Sequence, residues 1–141
     1  MSDDDHAKDA IAQINDFVHR FGEERNLDLA PLDDAGVTRI QRGSALISIH
    51  AVAEQGVLLL LSKVMDAPES GGEALFRRLL ELSFLATGDA AFAINKKTGE
   101  VYLRALRRLE GMNYDEFEDL VHTVATVADE WDDQLRRGYG A

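Results

Sequence analysis

Cysteine is absent from the 141 residues, which excludes a disulfide framework, a thiolate metal cluster and a cysteine nucleophile. Proline occurs only twice, as Pro31 and Pro68, and both fall in stretches that read as turn or loop. No apolar run is longer than residues 57–61, far short of the roughly 20 residues that a membrane-spanning helix needs. Basic residues are scarce as well, 15 Lys and Arg against 26 Asp and Glu, and the formal net charge is -11. Such a field repels phosphate backbones and anionic lipid, so neither nucleic acid nor membrane is expected as a partner, while basic or apolar partners remain open. The opening Met1-Ser2-Asp3-Asp4-Asp5 is acidic where a secretory signal would be basic and then apolar. The expectation is a soluble, cytoplasmic protein.

What is present is periodicity. Residues 1–141 are expected to form a single domain with an ordered core over about residues 6–136, and a chain near this size buries roughly 70% of its unfolded surface without a covalent staple. Residues 5–25 carry Ile11, Ile14, Phe17, Val18 and Phe21 at helical spacing, with Asp9, Gln13, Asp16 and Arg20 on the other side. A turn around Pro31, Asp33 and Asp34 leads to a strand over residues 36–41, and Arg42-Gly43-Ser44 turns into a second strand over residues 45–53. Glu54-Gln55-Gly56 makes a tight turn into a third, residues 57–64, whose consecutive leucines point to both faces and demand cover on both.

Residues 73–86 read as a helix that is apolar over more than one stripe, which requires packing on two sides, in its own core or against another subunit. Residues 91–95 and 100–105 read as strands joined by Lys96-Lys97-Thr98-Gly99, and Asn113 with Glu116 reads as a capping box that opens a last amphipathic helix through Trp131 to Leu135. The ends, residues 2–5 and 138–141, are expected to fray. The fold class that follows is α+β, in the order α-β-β-β-α-β-β-α, a mainly antiparallel twisted sheet with helices packed on it, since tight turns cannot make parallel crossovers.

The residues for catalysis are not there in any recognisable pattern. His6, His19, His50 and His122 do not fall at metal-ligand spacing. Asp33-Asp34, Glu23-Glu24 and Asp132-Asp133 read as solvated faces and caps rather than desolvated acid/base pairs. Gly71-Gly72 lacks the Lys and Ser/Thr of a phosphate loop and puts Glu73 where the anion would sit. The expectation is therefore no enzyme, no cofactor and no metal.

Leu32-Asp33-Asp34-Ala35-Gly36 before the first strand, Leu79-Leu80 and Phe84-Leu85 in the second helix, the segment 88–95 with Thr98-Gly99-Glu100-Val101-Tyr102-Leu103, and the stretch 117–131 carry a resemblance in their joint order. The chain resembles the class I chaperones of type III secretion, the Tir chaperone (CesT) family, over residues 11–135. It departs from them between the last strand and last helix, where Arg107-Arg108-Leu109-Glu110 stands in place of a proline. The resemblance implies a cytoplasmic homodimer that binds the extended N-terminal segment of a secreted effector and keeps it soluble and export-competent, without catalysis. It implies a dimer interface at Phe84, Leu85, Ala91, Phe92 and Ile94. For the effector groove, the candidates are Ile14, Val18, Leu46, His50, Val52, Leu58 and Leu60, because an extended peptide gains backbone bonds at a sheet edge and places alternate apolar side chains in grooves. The alternative is a relative of the same fold, similar to the YbjN group, that serves as a protein-binding adaptor or regulator unrelated to secretion.

Overall fold

The computed structural model describes residues 3–140, with side chains from residue 7 onward; the expectations for Ser2, Ala141 and the His6 side chain lie outside them. The elements are α1 (Asp3–Arg25), β1 (Val37–Arg42), β2 (Ala45–Val52), β3 (Val57–Asp66), α2 (Glu73–Leu85), β4 (Ala91–Ile94), β5 (Glu100–Arg108) and α3 (Tyr114–Tyr139). This is the expected order. All five strands form one antiparallel sheet in the order β1-β2-β3-β5-β4, with β1 and β4 at its edges.

Two strands outrun their sequence signal for a shared reason. β3 and β5 pair from Val57↔Arg108 to Asp66↔Glu100, so each supplies the ladder that extends the other past Val64 and Ala105. A register shift between Lys63 and Met65 turns two consecutive side chains, Val64 and Met65, into the core. At the chain's end, Gly138 and Tyr139 do not fray: α3 continues through Tyr139, whose ring packs against the core.

Local chemistry sets the element starts. Asp33 Oδ1 accepts from the Ala35 and Val37 amides, and its own N–H donates to the Val37 carbonyl, so Leu32-Asp33-Asp34-Ala35-Gly36 is a closed turn that aims β1. Gly36 sits at φ +79°, and its carbonyl accepts from Ala51 N at 2.8 Å. A Cβ there would lie 2.7 Å from the Ala51 carbonyl oxygen. Gly36→Ala therefore combines left-handed strain with a backbone clash and is expected to cost roughly 2–3 kcal/mol. A urea unfolding midpoint equal to that of the parent would contradict this account of the turn.

Asn113 caps α3 as expected, its side chain accepting from Glu116 N at 2.9 Å. The reciprocal half of the capping box is missing: the Glu116 carboxylate turns instead toward Arg107, 3.5 Å away.

The core lies on one face of the sheet. Thr38 and Ile40 of β1, Ala45, Ile47, Ile49 and Ala51 of β2, Leu58 and Leu60 of β3, and Val101, Leu103 and Ala105 of β5 all point to this face and are buried. They are covered by α3, whose Phe117, Leu120, Val121, Val124 and Ala128 are buried, and by α1 through Ile14, Val18 and Phe21. An aromatic cluster joins the two helices, with Phe21 edge-on to Phe117 and the Phe17 ring 5.7 Å from the same side chain. Around its rim, Tyr114 donates to Glu24 and Arg25 pairs with Glu118 at 2.8 Å. Burial and the Glu24 carboxylate push the Tyr114 phenol up to about 12.

Candidate functional site

Two apolar surfaces are left uncovered, and both follow from how the helices are distributed. The first is the outer face of the sheet. With α1 and α3 on the inner face, the residues of opposite parity in β1, β2, β3 and β5 are all half-buried or exposed. The pairing sets them in rows: Val37, His50, Leu59 and Leu106 lie side by side, as do Arg39, Ser48, Leu61 and Arg104, and Val52, Val57 and Arg108 make a third. Leu46 stands beyond them on β2. Leu46 and Leu106 are 51% and 49% exposed, high for leucines within strands. The leucines of β3 thus split as their alternation requires, Leu58 and Leu60 inward and Leu59 and Leu61 outward. Among the described residues, no helix provides the cover that sequence patterning demands for the outward pair.

This face is also electrically distinct. Its outward-pointing charged residues are Arg39, Lys63, Arg104 and Arg108 against Asp66 and Glu100, and both carboxylates bridge Lys63. Lys63 and Glu100 neutralise one another at 2.8 Å at one end, which raises the lysine and lowers the carboxyl from their ordinary values. Among the described residues no carboxylate lies within ion-pair distance of Arg39, Arg104 or Arg108. His50 sits in this field with its Nε2 2.9 Å from Ser48 Oγ; partial burial, and then the Arg39 charge, hold its pKa below the usual histidine value.

The β1 edge borders this face and is partly open. Both the N–H and the C=O of Val37 turn away from β2 to bind Asp33, and Gly36 binds Ala51. Alternation along an antiparallel strand then points the N–H and C=O groups of Arg39 and Gln41 outward, four groups free to pair with an added strand.

The second surface is on α2. Leu75, Leu79 and Leu82 are buried, yet Phe76, Leu80 and Phe84 recur every four residues on an adjoining face that is open to solvent, with Leu80 74% and Phe84 83% exposed, and Leu85 follows at 79%. The helix is fixed to β4 by a bond from Phe92 N to Ser83 Oγ at 3.0 Å.

The residues expected to form sites therefore separate. Phe84, Leu85 and Ile94 are exposed, while Ala91 and Phe92 are half-buried and Phe92 packs against the chain's own core. Leu46, His50 and Val52 lie together on the outer face of β2. Ile14, Val18, Leu58 and Leu60 do not join them: at 0–1% exposure they are core, and the groove assignment for these four is corrected. Periodicity shows which residues share a face, but not which face another element covers. Phe76 and Leu106 lie outside the residues expected to form a site, although the wide apolar arc of α2 carries the signal for the first. Among the described residues no group of three His, Asp or Glu is placed to hold a metal ion, and no helix is long and apolar enough to cross a membrane.

Comparison with known proteins agrees with this geometry. No curated protein matches the sequence. Among solved structures, a chain of the ExsC-ExsE complex superposes with a TM-score of 0.72 at 23% identity, over 88% of this chain and 94% of that one. A chain of the heterodimeric ExoU-SpcU complex from the type III secretion system of Pseudomonas aeruginosa gives 0.65 at 18% identity, over 86% and 96%. YbjN from E. coli gives 0.54 at 10%, over 84% and 91%. At these identities the likenesses establish the fold. The family model of the Tir chaperone protein (CesT) family matches residues 16–132, and the chain belongs to that family.

Proposed function

We propose that this protein is a type III secretion chaperone that acts in the cytoplasm as a homodimer, binds the extended N-terminal segment of a secreted effector, and keeps that segment soluble and export-competent without turning over any substrate. The observation that carries this reading is the family match across residues 16–132. The two uncovered surfaces give it a physical form. A two-fold contact through Phe76, Leu80, Phe84 and Leu85 would bury the same stripe from both subunits, and Ala91, Phe92 and Ile94 of the neighbouring β4 edge would complete it. An extended segment would pair with the free groups of Arg39 and Gln41 and lay its apolar side chains over Leu46, His50 and Val52.

The adaptor alternative draws on the likeness to YbjN, which is weaker than that to the secretion complexes and carries no observation of its own. Co-expression with the protein encoded beside this gene, where that protein has a disordered, apolar-dotted N-terminus, tests the reading. The partner is expected to co-purify and to be lost when its N-terminal segment is deleted. Retention after the deletion, or binding only to a folded domain, would favour the adaptor.

A further inference from the structure

The chemistry of the outer sheet face specifies what kind of segment it accepts. We infer that the face takes an acidic amphipathic segment, in which the sheet-facing residues, every second one, are by turns leucine-sized and Asp or Glu, the apolar groups covering Leu59, Leu61 and Leu106 and the carboxylates meeting Arg39, Arg104 and Arg108. The inference deepens the chaperone reading and rests on it for the identity of the partner as an effector.

Charge complementarity supports the assignment. In a chain with 26 acidic residues, this surface holds four cations against two carboxylates, and because both carboxylates bridge Lys63, the three arginines have no ion-pair partner among the described residues. Elsewhere among the described residues Arg20, Arg25, Arg107 and Arg136 pair with Asp or Glu while Arg42, Arg77 and Arg78 do not, so it is the local excess of cations in an acidic chain, rather than the lack of partners alone, that marks this face. A basic segment would be attracted by the net charge at long range but would meet like charge where it docks. An acidic one is repelled weakly at a distance, where salt screens, and paired at contact, where screening is least.

The spacing adds a sequence rule. Arg39 and Arg104 flank Ser48 and Leu61 in one cross-strand row, which Ala91 of β4 continues beyond Arg104. Three strand spacings separate the two arginines, about 14 Å. Beyond the part that pairs along β1, an extended stretch of the segment that turns across the strands covers that distance in about four residues, so carboxylates at i and i+4 with an apolar residue at i+2 reach both arginines and the leucine between them.

The test is selection from a phage-displayed library of random 16-residue peptides on the full chain, in parallel with the R39E/R104E/R108E and R39Q/R104Q/R108Q variants. These side chains lie outside the core, and an unchanged mass and circular dichroism spectrum verify that each variant is folded. Peptides enriched on the parent are expected to carry Asp or Glu at i and i+4 around an apolar i+2. Their acidic preference is expected to vanish with either variant while the apolar preference persists. A synthetic copy of an enriched peptide is expected to bind the Glu variant at least about tenfold more weakly, that is about 1.4 kcal/mol. Enrichment of basic or uncharged peptides, the same acidic peptides on all three proteins, or no enrichment over bare support would overturn the inference. So would binding of a 20-nucleotide single-stranded DNA that is lost in the Glu variant, since the face would then serve nucleic acid. Failure here with a partner still captured in co-expression leaves the chaperone reading standing. Success here without such capture removes the secretion role and keeps the site.

Discussion

The double variant Leu80→Asp/Phe84→Asp is expected to be a folded monomer, with a light-scattering mass near the 15.6 kDa of one chain, where the parent gives about twice that. Both side chains are largely exposed in the isolated chain, 74% and 83%, so the substitutions leave the core of the subunit untouched. In the proposed two-fold contact they do the opposite. Each carboxylate would enter an apolar surface with no partner, at a cost of several kcal/mol, and symmetry counts every substitution twice. Interface anchors of this kind contribute about 2–4 kcal/mol each on truncation alone, enough to move a dissociation constant by more than a thousandfold when four are changed. Phe92→Asp is the less informative experiment, because Phe92 also packs against the core of its own chain, and loss of the dimer could not be told from loss of the fold. A double variant that keeps the parental mass places the interface elsewhere.

The second large effect concerns the fold itself. Phe117→Ala is expected to lower stability by about 3–5 kcal/mol, which for a domain of this size lowers the melting temperature by roughly 10 °C or more. Phe117 has no exposed surface and meets the rings of Phe17, Phe21 and Tyr114, so its removal opens a cavity in the aromatic cluster that packs α1 against α3. The loss is a large share of the 5–15 kcal/mol that a native domain holds in total. A calorimetric melting temperature within 3 °C of the parent would show that α1 is secured in some other way.

The architecture was legible in the sequence because its signals are local. Alternation marks the strands, Gly99 at φ +74° closes the β4–β5 hairpin, and Asn113 opens α3. What was not legible depends on contacts between distant segments. Arg107 and Arg108 carry no strand signal of their own and become strand because β3 runs beside them. The second half of the capping box fails because Arg107 competes for Glu116. The groove assignment mixed two faces of the same strands, since Leu58 to Leu61 are identical residues and only the placement of α1 and α3 decides which pair is core. The same placement shows what the sequence left unexplained: among the described residues nothing covers the outward leucines of β3 or the second stripe of α2.

The most direct test of the central claim is the mass of the complex formed when the chain is co-expressed with its neighbouring partner's N-terminal segment, measured by light scattering after size exclusion. The account predicts two copies of this chain with one copy of the segment. A complex with one copy of this chain, or a free chain beside an aggregated partner, would contradict it.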